Sequence, residues 1–93
     1  MKKQKAIFVV CIDQFGYVVG SPIKGLAMPN EKTDPMAWDW SPELWKAIKQ
    51  AFNLSPKADI GTINGDYRPF LTLEQAEAYS DEQDEKTRRR LSR

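Results

Sequence analysis

The sequence predicts a small α+β fold: an N-terminal β-hairpin, a long loop, a central amphipathic helix, a short second hairpin or irregular segment, and a charged C-terminal helix. Three observations carry that prediction. Residues 6–12, AIFVVCI, are the branched and aromatic residues of a largely buried strand. Residues 36–52, MAWDWSPELWKAIKQAF, hold all three tryptophans and a sharply punctuated helix start. Thr72 opens TLEQ, a capping box, ahead of a segment in which acids precede bases.

Ninety-three residues support one core, because so short a chain cannot divide its apolar residues between two. An apolar fraction of 41% with 29% charged residues is ordinary for a globular protein, so the chain should fold. Net charge is +1, which leaves no overall field to draw the molecule onto nucleic acid or an anionic membrane. The apolar run at 6–12 is far short of the ~20 residues that cross a bilayer and lacks a signal-peptide cleavage site. A cytosolic protein with no membrane partner is expected.

In chain order, a basic tip of Lys2, Lys3 and Lys5 leads into a strand at about 5–12. DQFG, residues 13–16, has turn composition, and YVVGSPI resumes the β pattern as far as Pro22, which together read as a hairpin. Residues 24–39 carry Gly25, Pro29 and Pro35 with Asn30 and Asp34, a density of breakers that predicts a long loop and argues against a central strand. Met28, Met36 and Trp38 are its apolar anchors across the fold.

Ser41 is placed to cap a helix at about 42–52, with Pro42 in the first position and Glu43 at the positive end of the dipole. Leu44, Ile48 and Phe52 recur at i, i+4 and i+8 with Trp45 beside them, so one face is core. Asn53 suits the C-terminal cap and Pro56 stops continuation. Asn64-Gly65 signals a tight turn, after which DYRPFL returns as a strand that Pro69 confines to a sheet edge or an irregular segment. From Thr72 the last helix offers Leu73, Ala76 and Tyr79 to the core, and beyond Ser80 only Leu91. Residues 1–80 are therefore expected to form the domain and 81–93 a helical extension that projects into solvent, frays or lies on a partner. Glu82/Lys86, Asp84/Arg88 and Glu85/Arg89 are i, i+4 pairs oriented to favour the helix.

The chemistry open to the chain is narrow. With no histidine and one cysteine, Cys11, a Ser-His or Cys-His nucleophile, an internal disulfide and a thiolate-cluster or imidazole metal site are excluded. Cys11 reads as a small buried hydrophobe. Asp34, Asp39, Asp59 and Asp66 follow no metal-ligand spacing and suit turns and caps, and Gly16, Gly20 and Gly25 form no phosphate-binding motif. No enzyme, metal or cofactor is expected.

Binding residues can be nominated. Trp45 belongs with the core, whereas Trp38 and Trp40, pointing the same way from an extended stretch, are candidate interface anchors. Arg68-Pro69, flanked by Tyr67 and Phe70, is a candidate recognition segment with an X-Pro bond that, in an exposed loop, a prolyl isomerase could act on. Lys86, Arg88, Arg89 and Arg90 could contact an acidic protein surface, or nucleic acid together with Lys2, Lys3 and Lys5. KAIFVVCIDQFGYVVG, PMAWDWSPELWKAIKQAF and INGDYRPFLTLEQAEAYS, in a short histidine-free chain, resemble small accessory proteins of bacteriophages, nearest to the anti-RecBCD type. That resemblance implies a protein that binds and modulates a host protein, the RecBCD recombination nuclease, with no chemistry of its own. The alternative is a nucleic-acid-binding accessory protein using the basic tips.

Overall fold

The computed structural model describes residues 3–30 and 34–92. Its centre is β1 (Lys5–Asp13), flanked by β2 (Ile23–Met28) and β4 (Gly65–Phe70), with the short β3 (Asp39–Trp40) beyond β2. All pairings are antiparallel, in the order β3-β2-β1-β4. Helix α1 (Pro42–Ala51) packs on one side of this curled sheet and α2 (Leu73–Leu91) on the other. The α+β class is as expected from the sequence.

Period-2 alternation explains why β1 is apolar throughout. Ile7, Val9 and Cys11 face α1 and pack with Ala27, Trp40, Leu44 and Ile48. Val10 and Ile12 face the opposite way, onto Ala76 of α2. A strand buried on both faces has no polar side to show, hence the unbroken run.

The first hairpin exists, but its returning strand lies further along the chain than expected. Asp13 closes the turn, its Oδ1 accepting from the Phe15 and Tyr17 N–H groups at 2.9 Å each. Pairing begins at Ile12 with Val18, lapses over residues 20–22, and resumes from Val9 with Ile23 to Lys5 with Ala27. The expected loop at 24–39 is thus overturned in its first part: β2 is an interior strand. Gly25 is not a breaker there. A Cβ at that position would lie 2.6 Å from Leu44 Cδ1, so glycine is what lets α1 approach β2. The strand ends before Pro29, and Pro35–Ala37 is a 3-10 turn capped by Asp34, whose Oδ1 accepts from the Met36 N–H at 3.0 Å.

Ser41 Oγ accepts from the Leu44 N–H at 3.2 Å and Pro42 opens α1, as the sequence requires. The helix ends with Asn53 at a φ of 59°, the Asn53 N–H donating to Gln50 O at 3.0 Å and the Leu54 N–H to Lys49 O at 2.9 Å.

Trp40 overturns its expected place at the surface. Pairing with Ala27 turns it inward while Asp39 faces solvent, leaving Trp40 7% exposed. Its ring stacks on Trp45 at 4.7 Å and meets Tyr67 edge-on at 5.7 Å, and its Nε1–H donates to Pro35 O at 2.9 Å. Because Tyr67 lies on β4, this cluster ties the two edge strands together through α1 and curls the sheet. Trp38 is half-buried against the same core.

Of the two alternatives the sequence left here, a second hairpin or an irregular segment, the hairpin does not form. Ile60–Thr62 forms a 3-10 turn capped by Asp59, and β4 pairs with β1 instead of folding back on residues 58–63. Asn64-Gly65 is therefore no hairpin turn. Gly65 stands opposite Asp13, where a Cβ would come within 2.2 Å of Ile12 O, so its missing side chain permits close strand approach. Pro69 sits, as expected, in an edge strand; its peptide bond is trans, and it lies opposite Val9 in the ladder, not in an exposed loop.

Thr72 Oγ1 accepts from the Gln75 N–H at 3.1 Å and starts α2. Beyond Ser80 the helix does more than project: Thr87 is 6% exposed and its Oγ1 donates to Gly16 O at 2.6 Å. Arg90 Nη2 donates to Phe15 O. The expected free extension at 81–93 is corrected accordingly, because hydroxyl and guanidinium donors anchor a helix end that lacks apolar residues. Among the described residues, no helix is long and apolar enough to cross a membrane.

Candidate protein-binding surfaces

β4 and α2 together build a shallow groove of about 440 Å³. β4 supplies Asp66, Arg68, Pro69 and Phe70, α2 supplies Tyr79, and the turn before β3 supplies Asp34 and Met36. Strand alternation sets the arrangement: Arg68 and Phe70, opposite Val10 and Phe8, point to the α2 side, where Tyr79 lies. The Arg68 guanidinium stands over the Tyr79 ring at 5.9 Å, and Phe70 tilts against the same ring at 5.0 Å. Asp66 Oδ2 accepts from Arg68 Nε at 3.3 Å, an exposed pair that orients the guanidinium more than it stabilises the fold.

The outer edge of β4 is poor in free donors for strand addition. Cys11 O accepts from the Val19 N–H, so the Cys11–Tyr67 pair is not hydrogen-bonded and the Tyr67 N–H points outward. That N–H is taken by Asp66 Oδ1 at 2.9 Å, and Pro69 has none to offer.

The nominated residues therefore divide. Arg68, Pro69 and Phe70 meet in the groove, Tyr67 turns to the tryptophan cluster, Trp40 is core and Trp38 is half-buried. Lys86 and Arg89 pair with Glu82 at 3.4 Å and Glu85 at 2.7 Å. Arg88 and Arg90 lie where α2 meets the turn after β1. Sequence reasoning missed Met36 and Tyr79 in the groove, and Phe15, Tyr17 and Leu91 at the far end. The available signal for Phe15 and Tyr17 was their place in and just after a polar turn, where aromatic side chains have little core to enter.

Two basic tips were expected to serve nucleic acid together, but Lys3 and Lys5 stand at the start of β1 and Arg90 at its end. Nine residues of strand separate those ends by about 26 Å. Lys2 lies outside the described residues. The loop aspartates disperse as well: Asp34 and Asp59 cap 3-10 turns, Asp66 holds the Tyr67 N–H, and Asp39 is exposed. Among the described residues no three histidine, cysteine or acidic side chains gather as a metal site. Cys11 is 1% exposed, and burial pushes its thiol up to about 11.

No protein-family model, curated protein or solved structure matches the chain.

Proposed function

We propose that this is a non-enzymatic accessory protein of the bacteriophage type that binds and modulates a host protein in the host cytoplasm, with the RecBCD recombination nuclease as the partner the resemblance implies. The observation that supports this reading is the groove on β4: an arginine standing over a tyrosine ring, beside Phe70, Pro69 and Met36. Arginine and aromatic side chains are the residues that dominate binding energy at protein interfaces, and Met is enriched there too. Nucleic-acid binding through both basic tips has less support, since those tips face different ends of the molecule.

Affinity capture from host lysate with the full chain is the test. A partner should be retained at moderate salt, and Arg68→Ala should weaken its affinity at least tenfold, by order of magnitude, without changing the melting temperature, since Arg68 is exposed. No retained partner, together with DNA binding that falls steeply with salt, would overturn the reading.

A further inference from the structure

Three of the large apolar side chains left exposed gather at one end of the molecule: Phe15 at 62%, Tyr17 at 46% and Leu91 at 58%. Tyr17 and Leu91 line a groove of about 410 Å³ with Asp84, Thr87 and Arg88. Neither element carrying them is loose. Asp13 holds the turn through two backbone N–H groups, and Thr87 and Arg90 bind the turn's carbonyls from α2. A surface fixed in this way loses little freedom when it binds.

Its charge indicates what it fits. The adjoining stretch of α2, residues 84–90, carries Lys86, Arg88, Arg89 and Arg90 against Asp84 and Glu85. Lys86 and Arg89 are engaged along the helix by Glu82 and Glu85, while Arg90 donates to a neutral carbonyl, that of Phe15. Arg88 borders the groove. An apolar patch bordered by Arg88 and Arg90, with Asp84 the one carboxylate in the groove lining, keeps a net positive margin complementary to a segment that carries carboxylates beside apolar side chains. A second copy suits it poorly, because a two-fold contact about this patch sets arginines against arginines.

We propose that this end of the molecule docks an acidic amphipathic segment of a partner protein, its apolar side chains against Phe15, Tyr17 and Leu91 and its carboxylates on Arg88 and Arg90. The proposal rests on the reading of the chain as a binding protein and names the chemistry of the partner. It uses a surface separate from the β4 groove.

Fluorescence anisotropy with the full chain tests it. The probes are a labelled synthetic amphipathic peptide with Glu and Asp on its polar face, a twin with Lys at those positions, and a single-stranded oligonucleotide of the acidic peptide's net charge. The acidic peptide should bind about tenfold or more tightly than its twin, and Leu91→Ala and Phe15→Ala should each weaken it roughly fivefold. Both side chains are mostly exposed, so the melting temperature should hold and folding is controlled for. Arg88→Glu should narrow or reverse the preference between the peptides, whereas Arg68→Ala should leave it unchanged.

Equal binding of the two peptides, or no peptide binding, overturns the proposal. So does oligonucleotide binding as tight as that of the acidic peptide and indifferent to Leu91→Ala. Capture of a host partner that Arg68→Ala abolishes, combined with no acidic-peptide binding, would sink this proposal while leaving the binding-protein reading in place.

Discussion

Cys11 shows how far position alone can silence a reactive group. Packed beside Val9 and facing Leu44 and Ile48 across the core, its sulfur is screened from water, and the thiol rises from the ordinary 9.0 to about 11. The folded chain should therefore resist thiol reagents at neutral pH and react only on unfolding, which a labelling time course with and without denaturant will show. The linkage has a definite sign. Above the unfolded value the unfolded chain gives up this proton while the folded chain keeps it, so stability is fully present below pH 9 and is lost as pH rises towards 11. A rise of that size corresponds to about 2 to 3 kcal/mol over that window. Cys11→Ser should flatten that part of the stability profile; an unchanged slope would assign the loss to other groups. Gly25, like Gly65, acts through what it lacks: a Cβ there would meet Leu44 and hold α1 off β2.

At the scale of the element, α2 departs most from what its composition suggests. Its described residues beyond Ser80 contain one apolar side chain larger than alanine, Leu91, and that one is exposed, yet the helix is fastened at Thr87 and Arg90. Removing residues 82–93 should cost about 1 to 3 kcal/mol, from the lost hydrogen bonds and the uncovering of the turn. For a domain of this size that lowers the melting temperature by roughly 4 to 8 °C per kcal/mol. Thr87→Val isolates the anchor: volume is kept, the donor is lost, and about 1 kcal/mol should follow. A deletion variant that melts with the full chain would show the anchor to be idle. The helix start was legible from TLEQ alone, because a cap is local chemistry. Its far end was not, since Thr87 is joined to Gly16 across 71 positions of sequence.

Across the whole molecule, the Trp40–Trp45–Tyr67 cluster decides the shape. β3 has only two residues and cannot hold its edge by ladder bonds, so the indole that it turns inward supplies the attachment. Trp40→Ala should cost about 3 to 5 kcal/mol, a large part of the total for so small a domain, and guanidinium unfolding will measure it. A loss below about 1 kcal/mol would mean that the sheet holds its curl without the indole. The body measures 52 × 29 × 19 Å and exposes 6577 Å², against about 5,500 Å² for a compact monomer of this mass. Both candidate surfaces draw on α2, at Tyr79 and Leu91, about 18 Å apart along the helix axis. One partner with an interface of ordinary size can cover both.

By itself the sequence determined the α+β class, the caps at Ser41, Asn53 and Thr72, the buried apolar strand, the confinement of Pro69 to a sheet edge or an irregular segment, and the core face of α1. Each follows from interactions within a few residues or from periodicity, which the chain carries wherever it goes. Only the tertiary structure decided that Gly25 lies in an interior strand, that Gly65 begins a strand paired with β1, that Trp40 is core, and that Arg68 meets Tyr79 while Phe15 meets Arg90. Those facts depend on which distant segment occupies the space beside each residue. A glycine reads as a breaker until the leucine above it is seen, and a tryptophan reads as exposed until the opposite edge of the sheet curls round to cover it.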